Sequence, residues 1–95
     1  AAVDASRIGR PIAAIIRLGN PGDRSELVVE RVKDMPEVLE CNRITGHEAF
    51  VFKVAVATVE HLEQVIGQLE PYGITTTSII LSTPVTRRIL MRPEE

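Results

Sequence analysis

The chain predicts an α+β domain, with a four-stranded antiparallel sheet carrying two helices on one face. Three observations lead there. Short runs rich in β-branched and aromatic residues fall at 12–18, 38–45, 50–57 and 74–82, which is strand length and strand composition. Helical stripes of apolar residues lie between the first and second runs, and between the third and fourth. The resulting order, β-α-β-β-α-β, closes most simply as two right-handed split βαβ units sharing one sheet. That is a ferredoxin-like sandwich.

Each element has a local reason. Gly9-Arg10-Pro11 punctuates the start, and Ile12 to Leu18 is a short isoleucine-rich strand. Gly19-Asn20-Pro21-Gly22 is a turn cluster. Asp23 or Ser25 is expected to cap the first helix. It should run to about Met35, with Leu27, Val28, Val32 and Met35 near one face, until Pro36 ends it. Val38 to Thr45 is the second strand. Phe50 to Ala57 is the third, with Phe50, Phe52, Val54 and Val56 on one face and Val51, Lys53 and Ala55 on the other. Leu62, Val65, Ile66 and Leu69 form the clearest helical stripe, and Pro71-Tyr72-Gly73 stops it. Ile74 to Ser82 is the fourth strand, and Thr86 to Arg92 is expected to add an edge strand.

Composition narrows the function classes. Ninety-five residues make one domain, 44% of them hydrophobic and 25% charged. Net charge is −2 and aromatics are 3%, so neither a basic nucleic-acid surface nor a base-stacking sheet is expected. No apolar run approaches the ~20 residues that span a bilayer, so no membrane partner is expected. Cys41 is the only cysteine, which excludes an internal disulfide and points to a reducing, cytoplasmic setting. It is expected to pack in or near the core as a strand residue. The helices leave one sheet face open, with Ala13, Ile15, Val51, Ala55 and Ile80 as candidates for it. An open apolar face does not stay in water, so a dimer or larger assembly is expected.

The stretch Pro36 to Val54 is the most informative. It reads as strand, turn at Thr45-Gly46, strand, and the glycine lets turn amides approach a small ligand closely. The threonine-rich strand at Thr75-Thr76-Thr77 offers hydroxyls that donate or accept. Taken in order, Pro36, Val38, Cys41, Thr45-Gly46, Phe50, Gly73-Ile74, Thr75, Thr77 and Ile79-Ile80-Leu81 resemble the effector domain of the Lrp/AsnC family of transcription regulators. The stretch from Val3 to Ile12 is similar to that family's linker, which follows a helix-turn-helix domain. The resemblance therefore implies residues 1–11 as linker and 12–95 as an effector-binding and oligomerisation domain. It also favours a piece of a longer regulator over a stand-alone protein.

The resemblance further implies dimers formed through the sheets, assembling onward, often to octamers. An amino-acid effector would bind between dimers, at Thr45, Gly46, His47, Glu48 and Ala49 with Thr75 and Thr77 contributed nearby. DNA would be met only through a helix-turn-helix domain that this chain lacks. No cofactor is implied. One position departs from the family pattern: many members carry Asp three residues after the turn glycine, and this chain has Ala49. Glu48 is adjacent, but neighbouring strand residues point to opposite faces.

Other readings of the same order are an ACT-like amino-acid-binding domain of a metabolic enzyme, and a small enzyme on the same fold. For the second, Arg17 is thin support for a phosphate cradle, and Ser78 and Ser82 lack a nucleophile motif. His47 and His61 are too scattered for a metal site, and Glu60, Glu63 and Glu70 read as a solvated helix face. Arg87-Arg88 read as a solvated edge or an intersubunit pair.

Overall fold

A computed structural model describes residues 9–46 and 48–86, with Glu48 described by its backbone alone. The elements are β1 (Ile12–Gly19), α1 (Ser25–Lys33), β2 (Val38–Arg43), β3 (Glu48–Val56), α2 (Val59–Leu69) and β4 (Ile74–Ile79). All strand pairings are antiparallel, as the sequence predicts, and the strand order is β2-β3-β1-β4.

Alternation builds the core. Ala14, Ile16 and Leu18 of β1 and Phe50, Phe52, Val54 and Val56 of β3 are buried beneath Val28 and Val32 of α1 and Leu62, Val65 and Leu69 of α2. Each of the Val, Leu, Ile and Phe side chains among them contributes about 1.5–3 kcal/mol on burial. Phe50 and Phe52 stack, with centroids 5.9 Å apart.

The opposite face is mixed rather than apolar throughout. Register places Glu40, Asn42, Lys53, Arg17, Thr76 and Ser78 there, around Val51, Ile15, Ala13 and Ala55. Ala55 is fully buried, while Ala13, Ile15 and Val51 are half-buried. The Arg17 guanidinium lies 3.4 Å from the Ser78 hydroxyl on this face.

Several element ends differ from expectation. α1 stops at Lys33, because bonds from Asp34 N–H to the Arg31 carbonyl and from Met35 N–H to the Val32 carbonyl tighten its last turn ahead of Pro36. Neither expected residue caps it. The Ser25 hydroxyl donates back to the Gly22 carbonyl, and the cap position is held by Arg24 without a side-chain bond. Leu27 is 56% exposed, since it sits about 100° around the helix from Val28.

β4 ends at Ile79, three residues early. Its partner β1 begins at Ile12, and the last bond between them runs from Ile80 N–H to the Ala13 carbonyl. Leu81 is left with no ladder partner and is 95% exposed. Thr86 is not in a strand, and the rest of the expected final strand, with Arg87-Arg88, lies outside the described residues. Gly73 is required by contact: a Cβ there would overlap the Gly19 carbonyl oxygen.

Candidate functional site

The β2–β3 hairpin is closed by a bond from Ile44 N–H to the Ala49 carbonyl. Thr45 and Gly46 are exposed in the turn, and Gly46 has φ 100°, a region that favours glycine. Among the described residues, no heavy atom beyond Gly46 and its chain neighbours lies within 4 Å of where a Gly46 Cβ would be, so a small ligand could approach this backbone. Ala49 is half-buried and packs against the core. His47 lies outside the described residues.

Thr75 and Thr77 face the helices, half-buried, opposite Leu18 and Ile16 of β1. Their neighbours Thr76 and Ser78 face the other way. The hairpin turn and Thr75 lie at the same end of the sheet, because Gly19 is paired with both Glu48 and Ile74. They stand apart across the sheet, however: β1 lies between β3, which Glu48 and Ala49 begin, and β4, and the β2 side of the hairpin is one strand further away. The row across the sheet runs Arg43, Phe50, Leu18, Thr75, which is about 14 Å at three strand spacings. One chain therefore brings Thr45, Gly46 and Ala49 together and holds Thr75 and Thr77 apart from them.

Three features were not legible in the sequence. Cys41 is exposed on β2, not packed in the core, because β2 is an edge strand whose residues beyond Val38 are all exposed. Partial desolvation pushes its thiol pKa up, with Arg43 acting against that shift. Second, the Arg43 guanidinium sits 5.3 Å above the Phe50 ring, a cation–π contact at the base of the hairpin. Third, His61 Nε2 donates to Glu37 Oε2 at 2.7 Å, while the Ala57 N–H donates to His61 Nδ1. The pair is largely shielded, and Arg10 reaches the adjoining Pro36 carbonyl at 2.9 Å. The His61 hydrogen bond holds the Glu37 pKa below its ordinary 4.5, against desolvation. Glu37 and His61 are 24 residues apart, and they meet because the β2–β3 pairing sets the Glu37 carbonyl against Ala55 N–H, close to the start of α2.

Among the described residues no cluster of three or more His, Cys, Asp or Glu side chains could hold a metal ion. Among the same residues, no helix is long and apolar enough to cross a membrane.

The four-stranded antiparallel sheet and its two helices define a ferredoxin-like α+β domain. Residues 13–90 match the family model described as the Lrp/AsnC ligand binding domain, and the chain belongs to that family. Over 80 residues it is 26% identical to the HTH-type transcriptional regulator LrpC of Bacillus subtilis (strain 168), covering 84% of this chain and 56% of that protein. The chain thus spans about half the length of that curated relative. The solved B. subtilis LrpC superposes with a TM-score of 0.79 at 25% identity, over 92% of this chain and 62% of that one. A feast or famine regulatory protein of M. tuberculosis complexed with L-methionine gives 0.80 at 23%, over 97% and 65%. A Neisseria meningitidis transcriptional regulator in complex with L-Met gives 0.84 at 19%, over 99% and 65%. The last two likenesses show the fold.

Proposed function

We propose that this chain is the effector-binding and assembly part of an Lrp/AsnC-type transcription regulator, sensing an amino acid at an interface between dimers. The reading makes it a cytoplasmic, non-enzymatic domain. DNA would be contacted through a helix-turn-helix domain outside this sequence. The observation that carries the proposal is the split site. The hairpin and the threonine strand belong to one end of the sheet yet are separated by β1, so a ligand too small to span two strand spacings touches both only with a second copy.

In mechanism, the effector carboxylate takes backbone amides around Gly46, His47 and Glu48, and the hydroxyls of Thr75 and Thr77 from a neighbouring copy complete the shell. With Ala49 where relatives often have Asp, the ammonium must find another acceptor, and Glu48 is the nearest in sequence. Ligand shifts the assembly only by its differential affinity for dimer and higher oligomer. The family match and two relatives solved with L-methionine favour this over the ACT-like alternative.

The experiment is light scattering after size exclusion, with each of the twenty amino acids, on the chain and on Gly46→Val. One amino acid should change the size or stability of an assembly of dimers. The variant should lose that response while staying a folded dimer, because a β-branched residue at φ 100° costs about 1–2 kcal/mol locally. A monomer at all concentrations, or an undiminished response in the variant, sinks the proposal.

A further inference from the structure

On the helix-covered face, α1 and the edge strand β2 do not meet fully, and a cleft of about 540 Å³ opens between them. Its floor is apolar: Val29, Val32, Met35, Leu39 and Phe50 line it, with the Cys41 thiol. That volume lies within the range of small-molecule sites. The cleft is distinct from the turn at Thr45-Gly46, neither of which lines it.

Its charged groups are unequal. Lys33 and Arg43 stand at its walls. Arg43 is held over the Phe50 ring, so its guanidinium fork sits next to the apolar floor. Lys33 reaches Glu30 at 3.0 Å, but both are well exposed, and such a surface pair is weak enough to re-form with another anion. Two acids lie close by, Glu30 and Glu40, and both are exposed to solvent. Glu40 lines the cleft and accepts from the Asn42 amide at 2.7 Å. Glu30 is the Lys33 partner.

We infer that the α1–β2 cleft binds a small aliphatic monocarboxylate without an ammonium group. The chain would lie on Val32, Met35 and Phe50, and the carboxylate would meet Arg43 and Lys33. The matching α-amino acid is disfavoured, because an ammonium one carbon from the carboxylate would be held beside the Arg43 and Lys33 cations. The inference is independent of amino-acid sensing at the hairpin.

Cys41 is a built-in reporter, since it is the only cysteine, exposed, and part of the cleft wall. The rate of its modification by N-ethylmaleimide is measured with 4-methylpentanoate and with L-leucine, which share a side chain. The acid should slow labelling at least ~5-fold at saturation, with leucine at least ~10-fold weaker in apparent affinity. Arg43→Gln should weaken protection by the acid about 10-fold, the scale of a lost charge-assisted bond. If Arg43→Gln does not fold, Lys33→Gln replaces it, with a smaller loss expected. Methyl NMR shifts at Val32 and Met35 must accompany protection. No protection up to about 10 mM acid overturns the inference. So does equal protection by leucine, or protection indifferent to both cations. Labelling that slows with protein concentration alone would mark the cleft as an interface between copies, and overturns it too.

Discussion

The two helices lie on the same face of the sheet, yet they close it unequally. α2 has eleven residues and a side-chain cap: the Thr58 hydroxyl accepts from His61 N–H at 3.0 Å. Its stripe of Leu62, Val65 and Leu69 is buried, and His61 ties it to Glu37 at the start of β2. α1 has nine residues, no side-chain cap, and only Val28 and Val32 buried. Beneath it remains the cleft. The lesson is a division of labour within one core. The α2 half carries stability, and the α1 half leaves room for something else.

The largest effect should separate the halves directly. Leu69→Ala removes a fully buried side chain and should cost about 2–5 kcal/mol in urea unfolding. Val32→Ala, at the margin of the cleft, should cost only about 1–2 kcal/mol, since less is removed and the space is already partly open. Equal costs would break the comparison. Capping gives the next contrast. Thr58→Ala should lose about 1 kcal/mol, whereas Ser25→Ala should lose less than about 0.5, because Ser25 caps nothing.

Next comes a pH effect confined to the α2 half. The folded Glu37 pKa lies below its ordinary 4.5, chiefly through the His61 hydrogen bond. A depressed carboxylate contributes stability that is present above the unfolded value and lost as pH falls through the folded one. Stability should therefore fall more steeply below about pH 4.5 in the parent than in Glu37→Gln. Parallel acid-unfolding curves would show that the pair contributes no pH-dependent stability.

How much of this was readable in the sequence follows the same division. Period-2 alternation at Phe50 to Val56 and the stripe Leu62 to Leu69 are local patterns, and both were placed correctly. α1 was harder. Leu27 and Val28 are adjacent, and sequence alone does not say which of two neighbours turns inward. Met35 is buried as expected, but from the turn after the helix. Cys41 is exposed where its strand composition suggests burial, because edge-strand position is a property of strand order, which is nonlocal. The candidate site shows the same limit. Thr45-Gly46 and Thr75 are each visible as motifs, but their separation across Phe50 and Leu18 is set by pairing alone.

The smallest expected effect tests what covers α1 on its outer side. Leu27 is more than half exposed, so Leu27→Gln forfeits little burial and should change stability by under about 0.5 kcal/mol. The measurement is a thermal melt at two protein concentrations spanning about 100-fold, where 1 kcal/mol would move Tm by some 4–8 °C. A larger loss at the higher concentration would have a definite meaning. Leu27 would then be buried by another copy, and the open half of the core would be closed by assembly rather than by this chain's own helix.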